Sequence, residues 1–430
     1  MKEKINAFQD KLMDQMEKVE VLTENRYIKA ITNSMMAYVP FTIICGFAYI
    51  LAFLPVPGYE KFINAIGIDF NAYYSALVDI GNATMNIAAI IVVVYFAYKL
   101  AENYKDIIQP INAAVLSLCI FIFTSPNDGG SIAISSFGAT SLFTAMLMAI
   151  AVTELYRFFV KKKFTIKMPP SVPSNVSASF TALIPMGFII IIFAIIKIIA
   201  SIVGFDSIHS IVNSIVAAPF TAIGTSIWGF QLMLFITLAL WGFGIHGNSV
   251  VFSLLTPALL VATDANRLAF EAGEKLPYII TNEFLMFATG VGIWRCIAML
   301  LFCKSKKIKS LGKIAIVPAF FGINEPTIFG LPVVFNPIMW IPYFLCDFIG
   351  PLLTYIGTYI GWIPRLVGVS ITWTTPNFLN GYLLTGGKWT AVLWQLALGI
   401  IYLAIYYPFL KTYDRKVLAE EKVLIVEEGD

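Results

Sequence analysis

Charge is scarce in this chain. Only 13% of its 430 residues are Asp, Glu, Lys or Arg, about half the share of an ordinary soluble domain. Histidine is rarer still, with His209 and His246 alone. The five cysteines, Cys45, Cys119, Cys296, Cys303 and Cys346, are scattered through apolar stretches, with no CxxC pair and no histidine at ligand spacing. They read as small buried hydrophobes, which argues against a disulfide framework or a metal site. No GxxxxGK[ST] is present, so ATP hydrolysis through a P-loop is excluded, and no G-x-G-x-x-G opens a helix after a strand. No metal, no cofactor and no nucleic-acid partner are expected. Residues 1–29 are polar and mixed in charge, with no early apolar core. The first span is therefore expected to insert the chain uncleaved. No internal repeat is visible.

What is abundant is apolar. The chain is 58% hydrophobic with a mean hydropathy of +0.80, which predicts an all-α polytopic membrane protein. A span needs about 20 apolar residues. Nine stretches come close: 31–54, 74–98, 108–124, 137–159, 180–204, 221–243, 279–303, 335–361 and 389–410. Two more, 247–262 and 314–331, are short for a straight crossing.

Lys and Arg in short loops set the orientation. The N-terminal segment, the loop after 137–159 (Arg157, Lys161, Lys162, Lys163, Lys167) and the loop after 279–303 (Lys304, Lys306, Lys307, Lys309, Lys313) are basic. Loops 125–136 and 205–220 carry Asp128 and Asp206 and no Lys or Arg. The basic loops are expected inside and the others outside. Parity then requires 247–262 to cross and 314–331 to enter and turn back. The expectation is ten transmembrane helices plus re-entrant hairpin segments, with both termini cytoplasmic.

Ile5, Phe8, Leu12, Met16 and Val19 recur at helical spacing within residues 1–29. They predict a cytoplasmic amphipathic helix, lying either on the inner leaflet or against protein. Residues 30–205 read as a transmembrane scaffold with few intramembrane charges. Residues 206–411 hold nearly all the polar punctuation and read as the working domain, followed by a cytoplasmic tail at 412–430.

Ionisable groups at membrane depth are costly and usually face a cavity or a partner. In WGFGIHGNSV, 241–250, His246 lies between Gly244 and Gly247, beside Trp241 and Asn248. The glycines allow the backbone to unwind and leave peptide groups free to bind. In GINEPTIFGLPVVFNP, 322–337, Asn324, Glu325 and Pro326 sit on the segment that parity makes re-entrant. In DIGNATMN, 79–86, Asp79, Asn82, Thr84 and Asn86 suit either helix–helix hydrogen bonds or ligand contact. In SITWTTPNFLNG, 370–381, Trp373 is either an interfacial anchor or a stacking plate for a ring. Lys99, Arg157 and Lys411 snorkel at span ends. His209 reads as structural, and Lys197 and Arg295 lie deeper without an evident role.

Tryptophan faces, amides, one carboxylate and one histidine suit a neutral polyol, whose hydroxyls both donate and accept. No Lys/Arg cluster accompanies these motifs, which argues against a tightly held anion. A carboxylate beside a histidine also suits a hydroxyl about to be phosphorylated, with Glu325 as general base and His246 orienting it. The phosphoryl donor would have to come from another protein.

GINEPTIFGLPVVFNP and WGFGIHGNSV resemble the signature segments of phosphotransferase-system permeases, membrane enzyme IIC, of the lactose/cellobiose/N,N'-diacetylchitobiose family. The resemblance covers essentially the whole chain. It implies a homodimer built on the N-terminal spans, re-entrant hairpins, and a cytoplasmic IIB partner whose phosphocysteine phosphorylates the sugar's 6-hydroxyl. Glu325 and His246 match the motif acid and histidine, and Asn324 the motif asparagine. Trp241, Asn82 and Trp373 look like further sugar contacts, and Asn248 joins them beside His246. With no IIB module before Asp430, the expected sugar is cellobiose or diacetylchitobiose rather than lactose. Two rivals stand beside this reading. One is a proton-coupled disaccharide symporter with Glu325 and His246 as relay. The other is a membrane enzyme on a lipid-linked sugar, which the lack of a metal cluster or basic pyrophosphate site disfavours.

Overall fold

The computed structural model describes residues 25–54, 56, 58–127, 130–166, 174–242, 247–331, 333 and 336–427, and its regular elements are helices with no strand. The expected N-terminal amphipathic helix and His246 therefore fall outside the described residues, apart from the segment's end, where the first helix begins.

In chain order, the short Tyr59–Ala65 and Ile208–Val212 aside, the helices are α1 (Arg26–Ala52), α2 (Phe70–Asn82), α3 (Ala88–Ala101), α4 (Pro110–Thr124), α5 (Leu142–Lys161), α6 (Ser174–Ile202), α7 (Ala218–Thr225) and α8 (Ile227–Gly242). They continue as α9 (Ser253–Glu271), α10 (Phe284–Ala288), α11 (Val291–Phe302), α12 (Lys306–Phe320), α13 (Glu325–Gly330), α14 (Pro337–Tyr359), α15 (Leu379–Leu384) and α16 (Trp389–Glu427). Among the described residues, eight helical stretches are long and apolar enough to cross a membrane, and α4 and α8 are shorter apolar helices.

The chain divides into two compact units that interleave in sequence. The first comprises Met1–Thr42, Asp79–Ala222 and Ser253–Val261, and the second Ile43–Val78, Ile223–Phe252 and Ala262–Asp430.

The core of the first unit centres on α3, which packs against α4 and α5. Ala88, Ala89, Val92, Val93, Phe96, Ala97, Leu100 and Ala101 of α3 are all buried. This face of α3 packs inward while Tyr95 and Tyr98 on the other are exposed, and its small residues let neighbouring backbones approach closely. The ionisable groups Glu154, Arg157, Lys197 and His209 find partners here. Glu154 accepts from the hydroxyls of Tyr27 at 3.0 Å and Tyr104 at 2.6 Å and pairs with Arg157 at 2.7 Å. Lys197 donates to the carbonyl of Phe123 at 2.7 Å. It thereby satisfies an orphan carbonyl in the last turn of α4. His209 is buried against the Ser125 and Ser141 hydroxyls at 3.3 Å each and the Phe121 carbonyl at 3.1 Å. A ring satisfied on both nitrogens is a structural histidine.

Residues 205–220, expected as an external loop, are largely helical. Ile208–Thr225 is long and apolar enough to be a span. The apolar run is short by residue count, but a π-turn at Asn213–Ala217 carries the helix through it. The expected stretch 247–262 is helical throughout, entering through a π-turn at Asn248–Phe252, and the helix runs on past it as α9 to Glu271. Its second half carries Asp264, Arg267 and Glu271, and pairing removes the reason for the helix to stop where the apolar run ends. Arg267 bridges Asp264 and Glu271, each at 2.6 Å, and donates to the Tyr49 hydroxyl at 2.9 Å. The expected span 279–303 appears as Phe284–Phe302, long and apolar enough to cross, with a break at Thr289–Gly290 that divides it into α10 and α11.

Residues 306–330 form a hairpin. After α12 the chain reverses at Phe321–Asn324, and α13 packs back on α12, bringing Gly330 against Leu311. The tail expected after 411 is helical to Glu427, as the end of α16. It holds the Lys-rich turn. Asp414 accepts from the backbone N–H of Lys304 and of Ser305, the latter at 2.8 Å. Glu421 accepts from the Ser305 hydroxyl at 2.6 Å and the Lys307 N–H at 3.0 Å.

Candidate functional site

Helix breaks in the second unit leave peptide groups that lipid cannot satisfy, so side chains must do so. Gly290 begins α11 with φ of 86°, a conformation that side chains rarely adopt, and the Asn377 amide lies where a Cβ would stand. The carbonyls freed at the end of α10 are taken up by α16. Gln395 donates to Phe287 O at 3.0 Å, and the Tyr402 hydroxyl to Ala288 O at 3.0 Å.

Gln395 also builds the loop at 372–380. It donates to Asn380 Oδ1 at 2.7 Å and accepts from the Phe378 N–H at 2.7 Å. Asn380 donates in turn to Asn377 Oδ1 at 3.2 Å. One buried amide thus ties the α10–α11 break to the loop that carries Trp373. The indole of Trp373 is 58% exposed, too open for a core residue. Behind this loop Glu283 is buried and accepts from Ser370 at 2.7 Å, Thr263 at 3.1 Å and Asn282 at 3.3 Å.

The turn at Gly322–Glu325 meets the same place. Gly322, at φ of 78°, lies against the Trp373 carbonyl. Asn324 caps α13, and its carbonyl accepts from the Thr327 and Ile328 N–H groups at 3.0 Å each. Pro326 falls in the first helical turn, where its missing N–H has no partner to lose. Asn336, in the same motif, caps α14 by accepting from the Ile338 N–H at 3.1 Å. Glu325 is half-buried. Its carboxylate has no hydrogen-bond or ion-pair partner among the described residues.

Trp241 is buried at the end of α8 and donates to Asn248 Oδ1 at 3.3 Å. Of the residues singled out in the sequence, Asn324, Glu325 and the Trp373 loop converge through Gly322, and Trp241 joins Asn248. Asn82 belongs to the first unit, where it donates to Asp79 at 3.1 Å and accepts from Asn86 at 2.6 Å. The polar row of DIGNATMN bonds within itself. Gln395, Tyr402, Glu283 and Thr327 were not foreseen. The lone amide in the apolar run AVLWQLALG, 391–399, was the one signal that pointed to Gln395.

Residues 32–346 match the family model of the phosphotransferase system, EIIC. Over 419 residues the chain is 34% identical to the lichenan permease IIC component of Bacillus subtilis (strain 168), covering 93% of this chain and 92% of that one. Over 441 residues it is 32% identical to the PTS system cellobiose-specific EIIC component of Geobacillus stearothermophilus, covering 97% and 96%. In three dimensions it is similar to the transporter ChbC, the IIC component from the N,N'-diacetylchitobiose-specific phosphotransferase system. The TM-score is 0.89 at 36% identity, over 95% of this chain and 98% of that one. With the motifs at 241–250 and 322–337 and the all-helical membrane fold, these matches establish that the chain belongs to the EIIC family of the phosphotransferase system.

Proposed function

We propose that this chain takes up a β-linked disaccharide of the cellobiose or diacetylchitobiose type across the bacterial membrane and presents its 6-hydroxyl for phosphorylation by a cytosolic phospho-IIB protein. The observation that carries this is the Glu325 carboxylate. It stands at the turn of a folded-back hairpin, beside the loop of an exposed tryptophan, with no partner among the described residues to occupy it.

In the transfer, the 6-hydroxyl oxygen attacks phosphorus as its proton passes to Glu325. The sulfur–phosphorus bond of the IIB phosphocysteine breaks and the thiolate leaves. His246 orients the hydroxyl. Asn248 and the Asn324 amide nitrogen hydrogen-bond sugar hydroxyls, and Trp373 covers a ring face. Release as a sugar phosphate makes uptake irreversible. The basic segments at 157–167 and 304–313 face the cytoplasm with both termini, and the N-terminal transmembrane scaffold, residues 30–205, forms the homodimer.

The test is to reconstitute the chain in vesicles with labelled cellobiose or diacetylchitobiose, with and without phospho-IIB. Internal label should be phosphorylated and should require phospho-IIB. Unmodified internal sugar driven by a pH gradient would replace this reading with symport. Trp373→Ala should weaken equilibrium sugar binding by about tenfold, ~1.4 kcal/mol. Unchanged calorimetric binding would return Trp373 to an interfacial anchor.

A further inference from the structure

Arg295 is the largest fully buried side chain of the described residues, 1% exposed on α11. A cation at such depth is costly unless its charge and its donors are used. One nitrogen, Nη2, donates to the Thr327 hydroxyl. Nε and Nη1 have no partner among the described residues. The guanidinium also lies 5.7 Å from the Tyr343 ring centroid, and Tyr406 and Asp347 act on it through space.

Its hydrogen bond to Thr327 goes to the turn that carries Glu325. The Thr327 hydroxyl passes the contact on, donating to the Asn324 carbonyl at 2.8 Å. Gly292 stands three residues before Arg295, on the same helical face. A Cβ there would collide with Asn324 Oδ1, so the Asn324 amide packs directly on the α11 backbone. One face of α11 is thus a seat for the turn. Gly292 makes room for Asn324, and Arg295 grips Thr327.

We propose that Arg295 is a positioning residue for Glu325, acting through Thr327. It fixes the first turn of α13 so that the carboxylate meets the hydroxyl it deprotonates. This rests on the phosphotransfer reading given above. Since a reacting group displaced by about 1 Å loses about 100-fold in rate, such a grip should govern turnover more than binding.

Thr327→Val removes the hydroxyl while keeping the shape and leaving Arg295 in place. Its kcat for phosphorylation by phospho-IIB should fall about 10- to 100-fold, with KM within about threefold. Amide exchange at residues 325–331 should rise. Thr327→Ser should restore kcat to within about threefold of wild type. Arg295→Gln should lose at least as much as Thr327→Val, and the double variant should lose no more than Arg295→Gln alone. If Arg295→Gln does not fold, the two Thr327 variants still decide the matter. Thr327→Val turning over within about twofold of an active wild type overturns the assignment and leaves phosphotransfer intact. Loss in KM alone, or no rescue by serine, also overturns it. A wild-type chain that forms no sugar phosphate overturns the phosphotransfer reading, and the catalytic assignment with it.

Discussion

Glu325→Gln should leave the chain folded and sugar-binding and remove most of its phosphorylation. The amide keeps the size of the carboxylate and one of its acceptor oxygens, with a donor NH2 in place of the other, but it has no usable basicity. General-base assistance contributes about 10²–10⁴-fold, so the initial rate of sugar-phosphate formation with phospho-IIB should fall by that order. Binding should stay within about tenfold, ~1.4 kcal/mol, because the amide still meets a hydroxyl. Stability should change little, since Glu325 makes no hydrogen bond or ion pair with the described residues that the substitution would break. The two measurements are needed together. A rate near wild type would remove the base role, whereas a loss confined to binding would make Glu325 a sugar ligand only.

Arg267→Met should destabilise the protein by about 3–5 kcal/mol, the usual loss when one member of a buried ion pair is removed. Arg267 is 2% exposed and holds Asp264 and Glu271 together on α9 while reaching Tyr49. Methionine fills much of the same volume, so the cost lies in two carboxylates left facing each other with no cation between them. The triple change Arg267→Met, Asp264→Asn, Glu271→Gln should recover most of the loss, since it removes the stranded charge as well. Thermal unfolding in detergent measures both. A midpoint shift for Arg267→Met under about 2 °C would mean that the site is solvated enough to tolerate the imbalance.

These two sites differ in how readable they were. Glu325 announced itself because an acid, two asparagines, prolines and glycines interrupt an apolar chain, and lipid tolerates such a segment only where it turns or lines a cavity. The hairpin 306–330 has that form, with Gly330 returning to Leu311. Asp264, Arg267 and Glu271 lie beyond the last apolar residue of 247–262, where hydropathy gives no sign of a helix. Their i, i+3 and i, i+4 spacing was a helical pairing signal, and it marks the end of a helix that hydropathy alone cuts short. Likewise 205–220 has the acid and the lack of basic residues of an external loop, while a π-turn at Asn213–Ala217 carries a helix through it.

Composition and periodicity by themselves determined that this is an all-helical membrane protein, and the two motifs determined its family. Both follow from local rules: a span must be apolar for its own length, and a break must contain residues that permit it. The tertiary structure alone decided which distant groups close each break. Gln395 on α16 satisfies Phe287, Phe378 and Asn380 at once, and Arg295 reaches Thr327 across 32 positions. It also decided that residues 43–78 group with the C-terminal segments and 253–261 with the first unit. A freed carbonyl or a buried cation must find a partner, but nothing in its own neighbourhood says where along the chain that partner lies. The choice is made by packing, which brings helices together without regard to their order in sequence.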